Sequence, residues 1–120
     1  MKKNIFIIII FAVFLLGCNK ETPVAVVYQA SGAISSVTLN YTGADGNLQT
    51  VTINPQSAQD VWKTSFNAEQ GDIVYLSGKY SDANSALKLL IKVDGKVYKQ
   101  ASNEGDTLKY LTISGVIPYK

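Results

Sequence analysis

Apolar and polar residues alternate in short runs along most of this chain, and turn-forming Gly, Pro, Asn and Asp break the runs every roughly 8–12 residues, as in β-sandwich proteins. The pattern predicts eight strands, over about 24–30, 34–42, 48–54, 61–67, 72–80, 86–94, 96–102 and 107–117. Alternation is plainest in the second run. Val37, Leu39 and Tyr41 share one face and Thr38, Asn40 and Thr42 the other, the mark of a strand with one wet side. Gly43-Ala44-Asp45-Gly46-Asn47 tolerates a tight turn, and Val51 with Ile53 resumes the alternation, so 34–54 reads as a hairpin closed by Pro55.

Residues 86–93, Ala-Leu-Lys-Leu-Leu-Ile-Lys-Val, fit either period: Leu87, Leu90 and Ile91 are spaced as on a helix, and Leu87, Leu89, Ile91 and Val93 as on a strand. Asp94-Gly95 decides for a strand, because this pair favours the two-residue hairpin turn in which both residues have positive φ. Lys88, Lys92 and Asp94 then face water. A further hairpin is expected through Asn103-Glu104-Gly105-Asp106 into Thr107–Ile113, and at most one turn of helix at Ser57-Ala58-Gln59-Asp60.

Trp62, Thr64 and Phe66 fall on one face of the fourth strand. Trp62 and Phe66 read as a core anchor between two sheets, with an exposed platform for stacking on a sugar as the alternative for Trp62. Tyr28, Tyr75, Tyr80, Tyr98 and Tyr110 are spread over four of the strands; of these Tyr75, Tyr80, Tyr98 and Tyr110 are the candidates for a binding face.

The amino-terminal segment has another character. Lys2 and Lys3 precede an apolar run from Ile5 to Leu16, 12 residues long, against the roughly 20 that a membrane-spanning helix needs. A charged start and a short apolar stretch fit a secretory signal peptide over 1–17. Its end, Leu15-Leu16-Gly17-Cys18, resembles the bacterial lipobox, which implies cleavage before Cys18, a diacylglyceryl group on the sulfur and an acyl chain on the new amino terminus. Such a lipid exceeds the two signals that stable membrane anchoring requires. It would also consume the only Cys of the chain, leaving a domain with no disulfide. Asn19 stands where Asp would signal inner-membrane retention, so the expected location is the cell envelope, anchored to the outer membrane. Residues 18–23 are then a lipidated tether and 24–120 the β-sandwich.

Division at Cys18 changes the charge picture. The formal net charge is +2, and Lys2 with Lys3 supplies it. All 11 basic residues are Lys, and neither Arg nor His occurs.

The run Tyr28, Gly32, Ala33, Val37, Tyr41, Val51, Trp62, Phe66, Gly71-Asp72, Val74-Tyr75-Leu76-Ser77, Leu89, Ile91, Val93-Asp94-Gly95-Lys96-Val97 and Ser114-Gly115 resembles, in order and spacing, the MmpS (mycobacterial membrane protein small) family and its lipoprotein relatives in Gram-negative bacteria. The resemblance spans roughly 24–117. It implies an immunoglobulin-like antiparallel β-sandwich of about seven strands, and a role as an extracytoplasmic accessory to a resistance-nodulation-division transporter that exports lipids or siderophores. This chain departs from the family in carrying a lipobox instead of a transmembrane helix, and in having no Cys in its domain. No catalytic residue carries over.

Composition narrows the chemistry. Without His or a free Cys there is no Ser-His or Cys-His nucleophile, and no Ser or Lys lies in a recognisable nucleophile turn. Asp45, Asp72, Asp82, Asp94, Glu104 and Asp106 fall in predicted turns, where Asp commonly caps backbone amides. Ser81-Asp82-Ala83-Asn84-Ser85 and Asn103-Glu104-Gly105-Asp106 are oxygen-rich, but neither matches an EF-hand loop and each offers only two or three donors, so no metal or other cofactor is expected. Nucleic acid is not expected as a partner, given the neutral balance after Cys18 and the missing Arg. Lys88, Lys92, Lys96 and Lys99 read as guards of an edge strand. The sequence thus points to a non-enzymatic envelope lipoprotein with a membrane anchor and a protein partner, with a small-molecule, glycan or lipid binding module as the alternative.

Overall fold

A computed structural model of the chain describes residues 23–106 and 109–119. The signal peptide, lipobox and Cys18 lie outside the described residues. Among the described residues there are eight strands and no helix: β1 Val24–Ser31, β2 Val37–Thr42, β3 Leu48–Ile53, β4 Val61–Ala68, β5 Ile73–Tyr80, β6 Ala86–Val93, β7 Lys96–Glu104 and β8 Tyr110–Val116. They form two four-stranded antiparallel sheets, ordered β4-β1-β6-β7 and β3-β2-β5-β8. The architecture is the expected antiparallel β-sandwich. Its strand order differs from that of an immunoglobulin constant domain, for β1 and β2 sit in different sheets, whereas the first two strands of that domain are neighbours.

The alternation read along the chain is the alternation of burial. Val24, Val26, Tyr28 and Ala30 of β1 face inward with Leu87, Leu89 and Ile91 of β6, and meet Val37, Leu39, Val74, Leu76 and Tyr80 from the other sheet. Each full burial of a Leu, Ile or Val contributes about 1.5–3 kcal/mol, and this interdigitated layer stabilises a fold with no cross-link among its described residues. Gly78 lets the sheets approach: a Cβ there would lie 2.7 Å from Leu87 Cδ2 and 3.0 Å from Leu39 Cδ2. The Asp94-Gly95 turn forms as expected, with φ of 51° and 81° and Val93 paired to Lys96. Its Asp94 amide donates to the Ala25 carbonyl at 2.8 Å, and the Ala25 amide donates to Asp94 Oδ1 at 3.1 Å, so the hairpin is tied to the start of β1.

One expected hairpin is absent. β7 pairs with β6 and β8 pairs with β5, so the segment through Asn103–Asp106 crosses between sheets. Its turn-forming residues are real; what they join are two strands stacked across the core. Hydrogen bonds from Tyr80 Oη to the Gly105 carbonyl (2.9 Å) and from the Gly105 amide to the Ser85 carbonyl (3.0 Å) hold the crossing in place.

Candidate functional site

The strands run between two poles. At the entry pole lie the start of β1, the turns after β2, β4 and β6, and the segment after β8; at the far pole lie the connections after β1, β3, β5 and β7. The largest side chains that sequence alone singled out divide between inter-sheet bolts, an outer face and a cleft.

Tyr28 is the largest anchor of the core, with 0% of its surface exposed. Its hydroxyl donates to the Thr42 carbonyl at 2.8 Å and accepts from the Tyr75 amide at 3.3 Å. The β2–β5 ladder ends one residue earlier, at Tyr41 opposite Leu76. The phenol from one sheet therefore stands in the other sheet's ladder, as a bridge between two strands. Burial pushes the phenol above its ordinary range, against the opposing effect of the Thr42 and Tyr75 hydrogen bonds. Tyr80, expected among the binding residues, is also core (1% exposed); its hydroxyl is engaged by Gly105 and, at 3.4 Å, by the Asn103 side-chain amide. Tyr98 is half-buried and closes the β7–β8 side: its hydroxyl donates to the Val116 carbonyl at 2.7 Å, and its ring fills the space that a Cβ on Gly115 would need. Tyr75 and Tyr110 do reach the outer face of the β3-β2-β5-β8 sheet, Tyr75 half-buried and Tyr110 exposed, but on different rows: Tyr75 opposes Ser114 and Tyr110 opposes Lys79. The four tyrosines do not form one site.

Trp62 and Phe66 point inward, as their phase requires, but β4 is an edge strand, so both are only partly buried. Phe66 packs edge-on to Tyr28 with centroids 5.2 Å apart, and Trp62 leans on Tyr41 at 5.4 Å and 54°. The role of central anchor passes to Tyr28. Trp62 instead walls a cleft of about 280 Å³ at the far pole, where β3 and β4 diverge. The small residues Ala30 and Ala33 form its floor with Leu87, and Ala30 lies directly opposite Trp62 in the β1–β4 ladder. Larger side chains there would fill the space. Asn54 and Asp60 form the rim. The loop between β3 and β4 is held by Asp60, whose Oδ2 accepts from the Gln56 amide at 2.7 Å and whose own amide donates to the Ser57 carbonyl at 3.1 Å. An apolar floor, one indole face and a polar rim suit a compact ligand with an apolar side to stack and a few hydroxyls or amides to orient.

Sequence reading missed Ala30, Ala33 and Asn54 as lining residues; the available signal was two alanines in phase with large core residues. Other polar groups serve the turns. Asp45 accepts from the Asn47 amide, Asp72 from the Glu69 amide and Asp82 from the Asn84 amide, and Asp106 pairs with Lys109 at 2.8 Å. Among the described residues, no group of three or more His, Cys, Asp or Glu is placed to hold a metal ion. Lys96 and Lys99 lie on edge strand β7 beside a register shift at Ile91/Lys92, with Lys99 Nζ 5.3 Å from the Tyr98 ring centroid. Neither a family model nor a curated protein matches this chain.

Proposed function

We propose that this chain is a lipid-anchored lipoprotein of the cell envelope whose β-sandwich is a non-catalytic binding module. The observation that carries the reading is the lipobox Leu15-Leu16-Gly17-Cys18, followed within a few residues by a domain that starts at one pole and opens its cleft at the other. A diacylglyceryl group and an N-acyl chain on Cys18 would hold the protein to the outer membrane and leave the cleft turned away from the lipid. The partner on this reading is an envelope protein, and the resemblance to the MmpS family makes an export complex of the resistance-nodulation-division type the first to test. Mass spectrometry of the mature amino terminus, with Cys18→Ser as the control, tests the anchor: an unmodified or uncleaved Cys18 refutes it. Cross-linking in intact cells tests the partner, and a lipoprotein that recovers no envelope protein refutes that part.

The cleft favours a second reading, in which the ligand is a small glycan or lipid fragment. Trp62 is the only Trp of the chain and walls the cleft, so its fluorescence reports directly on occupancy. A saturable change on titration with envelope oligosaccharides or short acyl lipids supports small-molecule binding. An unchanged spectrum throughout the panel leaves the protein-partner reading alone.

A further inference from the structure

Eight large apolar side chains are exposed among the described residues: Ile34, Val61 and Tyr110 lie at the far pole, and the other five, including the two most exposed, at the entry pole. Leu48, Ile73, Val97, Val116 and Tyr119 are 61, 68, 53, 49 and 77% exposed, and all five lie at the entry pole. Leu48 begins β3, Ile73 begins β5 directly opposite Val116 at the end of β8, and Val97 follows the Asp94-Gly95 turn. Tyr119 follows β8, and its hydroxyl lies where a Cβ on Gly71 would be. The segment bearing it is fixed by bonds from the Gly71 amide to the Ile117 carbonyl (2.9 Å) and from the Ile117 amide to the Asp72 carbonyl (2.8 Å). A rigid pole that keeps this much apolar surface in contact with water is a surface built for an apolar partner.

The chain itself identifies the partner. Only 19–23 separate Cys18 from β1, a reach of roughly 20 Å fully extended. Once Cys18 is in the bilayer, the pole that carries the start of β1 is held within that distance of the lipid surface. The charges at this pole are mixed: Lys92, Lys96 and Lys99 are offset by Asp45, Glu69, Asp72 and Asp94. Attraction to anionic lipid is therefore not what the surface is built for, and apolar contact at the headgroup boundary is. An interfacial Tyr belongs in the same setting, with its ring in the acyl boundary and its hydroxyl in the headgroups.

We propose that the entry pole, through Ile73, Val116 and Tyr119 with Leu48 and Val97 at its flanks, is a membrane-contacting face that seats the domain on the bilayer anchoring Cys18. The proposal rests on the lipoprotein reading above. It makes the protein a fixed post standing on the membrane with its cleft at the top, in place of a domain swinging on a leash.

Because acylation consumes the thiol of Cys18, a single introduced Cys in the full lipidated chain is a unique labelling site. Ile73→Cys and Val116→Cys would report on the entry pole, and Ile34→Cys and Val61→Cys on the far pole; all four positions are about half exposed or more, so the core is untouched. Each variant would carry an environment-sensitive fluorophore in vesicles of phosphatidylcholine and phosphatidylethanolamine, with and without nitroxide-labelled lipid. The expected result is a blue shift and severalfold stronger quenching at 73 and 116 than at 34 and 61, unchanged by adding anionic lipid. Equal, water-like signals at all four sites, with Cys18 shown by mass spectrometry to be acylated, overturn the seating and leave the anchor standing. A blue shift at 73 and 116 already present in detergent-free buffer without vesicles overturns it in favour of a protein–protein contact. An unacylated Cys18 overturns the anchor and the seating together.

Discussion

The two ends of this sandwich solve the same packing problem in different ways. At the entry pole the turns are short, of five, four and two residues after β2, β4 and β6, and two phenols close the space between sheets by bonding to carbonyls of the opposite sheet, Tyr28 to Thr42 and Tyr98 to Val116. At the far pole the connections after β1, β3 and β5 have five, seven and five residues. There the alanines of β1 and its loop leave a cleft under Trp62. A sandwich needs only part of its length to be tightly bolted. Both ends leave a groove, about 460 Å³ between the turns after β2 and β4 at the entry pole and about 280 Å³ at the far pole; what sets the far one apart is its lining, an indole over two alanines.

Mutations should separate the two ends. Tyr28→Ala removes the fully buried ring and its bridge, and is expected to cost about 3–5 kcal/mol in urea unfolding. Trp62→Ala removes a partly exposed side chain and is expected to cost about 2 kcal/mol, with loss of any ligand response in the cleft. Equal losses at the two positions would erase the contrast and return Trp62 to the centre of the core. Tyr28→Phe keeps the ring but leaves the Thr42 carbonyl and Tyr75 amide without their partner. A loss of about 1–3 kcal/mol is expected, and no loss would mean that water replaces the hydroxyl.

A pH series isolates the same hydroxyl. Burial raises the Tyr28 phenol above its ordinary value of 10.0 in the folded chain. Its contribution to stability is therefore complete below about pH 10, where the phenol is neutral in both states. The contribution is lost as pH rises through the higher folded value, because the unfolded chain ionises first. The urea midpoints of the unsubstituted chain and of Tyr28→Phe should converge above pH 10; a constant gap would place the phenol in contact with water. The smallest effect is expected at Asp106→Asn. Asp106 raises the pKa of Lys109 by a hydrogen bond and then by its charge. Removing the carboxylate should return Lys109 to the ordinary lysine range in an NMR titration and leave the unfolding midpoint unmoved, as for most exposed pairs.

Much of this arrangement was legible in residue order. Burial phase alone places Tyr28 with Val24 and Val26, and Tyr80 with Val74 and Leu76, so the core position of Tyr80 could have been read from its neighbours. The Asp94-Gly95 hairpin was legible because its turn has a strict chemical requirement at both residues. What escaped was non-local. Asn103–Asp106 looks like a hairpin turn because turn chemistry says only that the chain reverses, and carries nothing about whether the next strand lies beside the last one or across the core. Trp62 looks like a central anchor because its phase is inward; that β4 lies at a sheet edge is decided by pairing with β1 alone, between residues 44 positions apart at Val24 and Ala68 and 30 apart at Ser31 and Val61. The cleft was hidden for the same reason, since it is made of small residues brought opposite a large one by pairing.

The position of β1 has a mechanical consequence. This strand is interior to its sheet, bonded along Val24–Ser31 to β4 and along Val26–Ser31 to β6. A pull delivered through residue 23 acts along the strand axis, with ladder bonds on both sides perpendicular to it. Such a load is shared by both ladders in shear, and the domain yields only when many bonds fail together. Had the chain entered through β3 or β8, the same axial tension would be resisted by one ladder instead of two. Tension applied at residue 23 is thus borne by a strand paired on both sides.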